Sequence, residues 1–129
     1  MKAIILAAGY GTRLRPLTNK TPKCLIPING KPLLGNWLDL LVYQGFSEVL
    51  INTHYLVDQV EAFIEASPYR NHVRLVDERE LQGTAGTLIA NLDFFQGEDG
   101  LLIHADNYCL ADFIAFQQAH RNRPPKCLM

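Results

Sequence analysis

Short runs of consecutive apolar residues alternate with stretches in which apolar residues recur at helical spacing. The first pattern predicts strands buried on both faces, and the second predicts amphipathic helices. The predicted strands are 3–8, 48–53, 72–76 and 101–105, and the predicted helices are 32–43, 57–66, 84–94 and 110–121. This alternation predicts an α/β fold, a three-layer α/β/α sandwich with helices on both faces of a mostly parallel sheet.

Polar segments that follow the predicted strands indicate where a ligand would bind. In parallel sheets, ligands bind beyond the carboxyl ends of the strands. The glycine-containing loop 9–13 follows the first strand, and Asp106 follows the strand 101–105. We therefore expect the loop and the carboxylate to lie at the same edge of the sheet.

Composition and charge indicate a single globular domain over residues 1–129 and exclude several classes of partner. The net charge of −1 gives no electrostatic basis for binding nucleic acid or an anionic membrane. The cysteines are odd in number and lack a C-x-x-C pair, which indicates a reducing compartment. Because the sequence shows no signal peptide and no apolar run of transmembrane length, the expected location is the cytoplasm.

The segment after the first predicted strand has the composition of an anion-binding loop. Gly9 and Gly11 permit positive φ angles and a close approach of backbone amides to a phosphate. The spacing is not that of a dinucleotide-binding G-x-G-x-x-G, because Leu14 stands where the third glycine is needed, and the chain has no P-loop string. Arg13 and Lys23 add two cations nearby, an arrangement suited to a triphosphate.

Four sequence blocks resemble the N-terminal signature of the sugar-phosphate nucleotidyltransferases. They are L-A-A-G-Y-G-T-R-L (6–14), P-L-T (16–18), P-K-C-L-I-P (22–27) and P-L-L (32–34). This family transfers a nucleoside monophosphate from a nucleoside triphosphate to a sugar 1-phosphate and releases pyrophosphate. The resemblance covers the whole chain but only the N-terminal half of a typical member. It implies a Rossmann-like nucleotide-binding domain that is the N-terminal part of a longer family domain.

The resemblance implies a role for each residue type in the first blocks. Arg13 would offer a bidentate fork to the leaving pyrophosphate, and Lys23 would place a charge near the α-phosphate or the incoming sugar phosphate. Both are predicted catalytic residues, because two anions must approach each other at this point. The nucleotide-binding residues predicted in this part are Leu6, Ala7, Ala8, Gly9, Gly11, Thr12 and Arg13.

Two later segments complete the predicted site. The stretch 78–86 is similar to a family segment that contacts the base and ribose, and Thr84 within it is a candidate helix N-cap. Asp106 is predicted to bind Mg2+, the expected cofactor, because one carboxylate suffices when phosphates and waters are the other ligands. Many family members have Asn-Gly-Asp here, so His104 receives no role. The nucleotide-binding residues predicted in the first of these segments are Gln82, Gly83, Thr84 and Ala85.

The predicted function is nucleotidyl transfer, with a nucleoside triphosphate and a sugar 1-phosphate as partners. Two alternatives stay open: a cytidylyltransferase for a non-sugar phosphate such as choline phosphate, and a non-catalytic regulatory subunit that binds nucleotide sugars. The sequence identifies neither the base nor the sugar. Residues 126–129 resemble the start of a further strand, so a truncated sheet is expected. We therefore expect little or no activity from this chain alone, and self-association through an open sheet edge.

Overall fold

The computed structural model describes residues 1–124. Six strands and four α-helices alternate along this part of the chain. The strands are β1 (Lys2–Leu6), β2 (Pro27–Ile28), β3 (Lys31–Pro32), β4 (Glu48–Thr53), β5 (Val73–Asp77) and β6 (Gly100–His104). The helices are α1 (Leu33–Tyr43), α2 (Val57–Glu65), α3 (Gly83–Ala90) and α4 (Phe113–Arg121).

The main sheet has four parallel strands in the order β5-β4-β1-β6. Its central strand β1 is almost entirely apolar, and this composition suits a position with neighbours on both sides and helices on both faces. The register pairs Leu6 with Asn52 of β4 and with His104 of β6. The carboxyl ends of these three strands therefore meet at one edge, as the sequence predicts.

Helices cover both faces of the sheet, and this arrangement confirms the three-layer α/β prediction. Ala3 and Ile5 point into the larger core, which α1 and α2 help to form. Ile4, between them, points to the opposite face and contacts a smaller core with Phe94 and Leu88 of α3. No helix in the described residues is long and apolar enough to cross a membrane.

Two predicted helix boundaries are wrong because polar side chains decide where these helices begin or end, and one predicted helix cap is also wrong. The predicted helix 84–94 stops at Ala90, where the Asn91 amide donates to the Thr87 carbonyl at 2.9 Å. The predicted helix 110–121 begins only at Phe113, because the Asp112 carboxylate caps its first turn. Thr84 is not an N-cap, since α3 already begins at Gly83 and has no side-chain cap.

The short antiparallel pair β2 and β3 was not predicted from the sequence. Each of its strands has two residues and carries no alternating pattern that would identify it. The pair leads directly into α1, whose buried residues fix it on the sheet. The further strand expected at residues 126–129 lies outside the described residues.

Candidate active site

A cleft of about 350 Å3 opens at the carboxyl edge of the main sheet. Four segments form its walls: the loop after β1, the turn at Lys23, the region from Glu78 to Thr87, and the residues after β6. This is the edge at which parallel sheets bind ligands. The predicted site residues that line it are Leu6, Ala7, Ala8, Gly9, Gly11, Thr12, Arg13, Lys23, Gly83, Thr84 and Asp106.

Gly11 fixes the shape of the loop after β1. Its φ angle is +64°, a left-handed conformation that favours glycine. A Cβ atom at this position would lie 2.8 Å from Cγ2 of Thr18, so the backbone approach itself requires glycine. The Thr18 hydroxyl, which is buried, donates to the Gly11 carbonyl at 2.8 Å. The block 16–18 therefore acts as a support for the glycine loop.

Arg13 lies in a single 3-10 turn, Thr12–Leu14, that follows directly from Gly11. The Leu14 amide donates to the Gly11 carbonyl at 2.9 Å and closes this turn. Arg13 is exposed and lines the cleft, so its guanidinium can reach an anion held by the loop amides.

Lys23 and Asp106 meet across the cleft, although 83 positions separate them in sequence. Lys23 Nζ lies 2.5 Å from Oδ2 of Asp106. The hydrogen bond from Lys23, helped by the lysine's charge, lowers the pKa of the Asp106 carboxyl below its usual 3.8. Lys23 is anchored by its neighbour Cys24, which is buried in the main core.

The position of Asp106 is set by the elements on both sides of it. The Ala105 amide donates to the Leu6 carbonyl at 3.0 Å, which continues the β1–β6 pairing to the residue before Asp106. On the other side, the indole N–H of Trp37 donates to the Asn107 carbonyl at 2.8 Å. The carboxylate is therefore held between the sheet edge and α1.

A buried polar cluster beneath the cleft was not predicted from the sequence. It consists of Asn52 at the end of β4, Glu78 after β5, and Thr87 in α3. All three line the cleft and are nearly inaccessible to solvent. One sequence signal was available: Asn52, like Asp106, is a polar residue at the carboxyl end of an apolar strand.

Two of the predicted nucleotide-binding residues do not line the cleft. Gln82 and Ala85 are exposed and are not part of the cleft wall, whereas their neighbours Gly83 and Thr84 are. Gln82 is tied to the site through its backbone, since its amide donates to Glu78 at 3.2 Å. His104, which received no role, does line the cleft beside Asp106.

The donor chemistry at Asp106 fits a hard divalent cation. Within residues 1–124, no group of three or more His, Cys, Asp and Glu side chains is arranged to hold a metal ion. The Asp106 carboxylate at an open cleft offers the oxygen ligand that Mg2+ prefers, and Mg2+ characteristically retains water and shares phosphate oxygens with a substrate.

A family model described as nucleotidyl transferase matches residues 2–128. The chain belongs to the nucleotidyl transferase family. This membership confirms the resemblance seen in the sequence blocks around Gly9, Arg13 and Lys23.

Relatives within the nucleotidyl transferase family include enzymes named for different bases. The chain is 40% identical over 128 residues to N-acetylmuramate alpha-1-phosphate uridylyltransferase of Neisseria meningitidis, and it spans 54% of that protein. It is 35% identical over 125 residues to the mannose-1-phosphate guanylyltransferase catalytic subunit beta of Drosophila pseudoobscura, and it spans 34% of that protein. These matches cover 96% and 94% of the present chain. The chain thus spans about half the length, or less, of these relatives.

Solved structures of nucleotidyl transferases share the fold. HddC from Yersinia pseudotuberculosis, complexed with GMP-PN, superposes with a TM-score of 0.81 at 28% identity. That match covers 94% of this chain and 54% of HddC. The CTP:phosphocholine cytidylyltransferase LicC from Streptococcus pneumoniae has a TM-score of 0.70 at 34% identity, with 85% of this chain and 46% of LicC covered.

Proposed function

We propose that this chain is the nucleotide-binding part of a sugar-1-phosphate nucleotidyltransferase, in which a nucleoside monophosphate passes from a triphosphate to a sugar 1-phosphate. The observation that carries the proposal is the convergence of Arg13, Lys23 and Asp106 on the glycine loop in one cleft. Family membership and the names of the relatives support the reaction class.

The reaction joins two anions, so the main task of the site is positioning and charge neutralisation. An oxygen of the sugar phosphate attacks the α-phosphorus, and the bond from that phosphorus to the α–β bridging oxygen breaks. The electron pair leaves with pyrophosphate. Amides of the loop 9–13 would hold the phosphates, and Arg13 would neutralise charge on the departing β- and γ-groups.

Lys23 and Asp106 would change partners when substrates bind. In the present structure the lysine donates to the carboxylate. Asp106 would hold Mg2+, which neutralises phosphate charge when bound. Lys23 would then be released from its ion pair and could donate to the α-phosphate or the sugar phosphate. Lys23 and Asp106 would thus form an ion pair with each other when the cleft is empty, and each would bind a different partner when substrates are present.

A second candidate is cytidylyl transfer to a non-sugar phosphate. The observation that favours it is the structural match to the phosphocholine enzyme LicC, at 34% identity. Both reactions need the same triphosphate site, and they differ only in the acceptor. Sugar phosphates are preferred here because both of the sequence relatives described above are named for them.

The decisive experiment is calorimetric titration of this chain with GTP, UTP, dTTP, CTP and ATP, each with and without Mg2+. We expect Mg2+-strengthened binding of one nucleotide, and a loss of affinity of about tenfold or more in Arg13→Ala and Asp106→Asn. Arg74→Ala is the matched control, because Arg74 is an exposed arginine on β5 and does not line the cleft. Equal affinity in all three variants would contradict the proposed site.

Pyrophosphate release then separates the two acceptors, and it is followed over hours at high protein concentration because little turnover is expected from this chain alone. The titrated nucleotide is mixed with glucose 1-phosphate, mannose 1-phosphate, N-acetylmuramate 1-phosphate or phosphocholine. Release with a sugar phosphate supports the first function, and release with phosphocholine alone supports the second. We further propose a cytoplasmic location, supported by the free thiols of Cys24 and Cys109.

A further inference from the structure

The buried cluster of Asn52, Glu78 and Thr87 contains a carboxylate in an unusual position. Glu78 is 3% exposed, yet it lies directly beneath the cleft. Burying a carboxylate is costly unless hydrogen bonds replace its water. Here the donors are neutral: the Asn52 amide at 2.9 Å, the Thr87 hydroxyl, and the backbone N–H of Gln82 at 3.2 Å.

Each side of this cluster is attached to a different wall of the cleft. On one side, Oδ1 of Asn52 accepts from the backbone N–H of Ala7 at 2.7 Å. Ala7 follows β1 and begins the glycine-loop wall. On the other side, Glu78 accepts from the backbone N–H of Gln82, which directly precedes α3. A continuous path of hydrogen bonds therefore runs from Ala7 through Asn52 and Glu78 to Gln82.

A second path joins the same two walls through His54. Nδ1 of His54 lies 2.6 Å from the Glu78 carbonyl oxygen, so this nitrogen carries the proton and donates. Nε2 is then the acceptor for the Tyr10 hydroxyl at 2.7 Å. Tyr10 stands between Gly9 and Gly11 in the loop. Glu78 is therefore connected to the glycine loop by both its side chain and its backbone.

We propose that Glu78 and Asn52 are positioning residues that set the spacing between the two walls flanking a bound nucleoside. This inference rests on the proposed function, and on the predicted nucleotide-binding residues that line the two walls, 6–9 on one and 83–84 on the other. The phosphate-binding parts of the site, Arg13 and Lys23, are not in the cluster. The cluster should therefore affect recognition of the nucleoside and leave recognition of the phosphates unchanged.

The test compares binding of a nucleoside triphosphate with binding of inorganic tripolyphosphate, which lacks the nucleoside. The nucleotide is whichever of GTP, UTP, dTTP, CTP and ATP binds the unaltered chain most tightly. In Glu78→Gln one carboxylate oxygen becomes an N–H donor that faces another donor, so at least one hydrogen bond is lost. We expect nucleotide affinity to fall about tenfold while tripolyphosphate affinity changes by less than about twofold.

Two further variants guard against a simple folding defect. Thr87→Val removes the hydroxyl at nearly constant volume and should lower nucleotide affinity in the same selective way. Glu61→Gln makes the same chemical change at an exposed residue of α2 that does not line the cleft, and it should have no effect. Equal losses for nucleotide and tripolyphosphate in Glu78→Gln would overturn the inference, because they would indicate a general loss of structure.

A measurement without ligand distinguishes this inference from the proposed function. The Ala7 amide donates to Asn52, and the Asn52 amide donates to Glu78, so the cluster joins Glu78 to the Ala7 amide. We expect amide hydrogen exchange at Ala7 to accelerate in Glu78→Gln, whereas exchange at Ile4, deep in β1, stays the same. Unchanged exchange at Ala7 would overturn the inference alone. Failure of the unaltered chain to bind any of the five nucleotides would overturn the proposed function.

Discussion

At the scale of single residues, Gly11 determines the shape of the loop that follows β1 and lines the cleft. Two separate constraints act on it: its left-handed φ angle of +64° and the 2.8 Å approach of Thr18 to the place of a Cβ atom. Either constraint alone disfavours a side chain. Gly9 is different, because a Cβ there would meet nothing within 4 Å and its φ is not left-handed.

We expect Gly11→Ala to lower the free energy of unfolding by about 1–2 kcal/mol, because of its left-handed φ and the contact with Thr18. Urea denaturation followed by circular dichroism measures the loss. Gly9→Ala is the matched control, and we expect it to leave the stability nearly unchanged. If both variants had the same stability as the unaltered chain, the described loop conformation would be incorrect.

Cys24 provides a second prediction at this scale. Burial raises the pKa of its thiol from 9.0 to about 12, which lowers the thiolate fraction near pH 8 about a thousandfold. Cys109 is only partly buried. We expect iodoacetamide at pH 8 to label Cys109 in the folded chain and to spare Cys24, as read by peptide mass spectrometry.

The same shift predicts the direction of a pH effect on stability. The unfolded thiol ionises at about pH 9.0, whereas the folded one ionises only near 12. The contribution of Cys24 to the free energy of unfolding is therefore complete below pH 9.0 and is lost as the pH rises toward 12. We expect the free energy of unfolding of Cys24→Ala to fall less between pH 9.0 and 12 than that of the unaltered chain. Rapid labelling of Cys24 at pH 8 would contradict the burial on which both expectations depend.

At the scale of elements, the four strands of the main sheet and the four helices were predictable because apolar spacing determines where such elements lie in the sequence. The predicted strand 48–53 coincides with β4, whose residues are buried after the first. Errors arose where one polar side chain ends a helix, as at Asn91, or begins one, as at Asp112. Apolar spacing does not reveal such contacts: Leu110 fits the helical period but is 79% exposed and precedes the helix.

In the candidate site, residues near strand ends were predictable from the sequence, whereas contacts between residues of different elements were not. Gly11, Arg13 and Asp106 were predictable because each lies beside the strand end that positions it. The contacts of Glu78 with Asn52 and Thr87 depend on which strands are neighbours and on which face α3 packs. A one-dimensional pattern contains neither piece of information, so the cluster could be found only in three dimensions.

The N-cap of α4 gives a prediction at the element scale. The Asp112 carboxylate accepts from the Ala115 amide at 2.9 Å, and this amide is one of those that a helix start leaves unpaired. We expect Asp112→Ala to lower the free energy of unfolding by about 1 kcal/mol, measured by urea denaturation. Asp112→Asn keeps an acceptor oxygen and should retain most of the stability. Similar losses in both variants would argue against a capping role.

At the scale of the whole molecule, β6 is an edge strand of the described sheet. On this strand, Leu102 is an apolar residue that solvent reaches. An open strand edge with an exposed apolar side chain favours pairing with another chain.

We therefore expect the apparent mass of the chain to rise with concentration in analytical ultracentrifugation. Leu102→Lys places a charge at this edge and should shift the distribution toward the monomer. Glu61→Lys, an exposed position on α2, which packs beside β5 at the other edge of the sheet, is the comparison that should leave association unchanged. A constant monomeric mass across the concentration range would rule out this mode of assembly.

The common direction of the four strands has a practical consequence for surface-based assays. Because β1 runs from Met1 toward the cleft, the amino terminus lies on the side of the molecule opposite the cleft. A biotin or affinity handle joined there would orient every immobilised molecule with its cleft toward the flowing sample. Such a handle would remove the charge of the terminal amine that pairs with Glu98, whose side chain is half exposed.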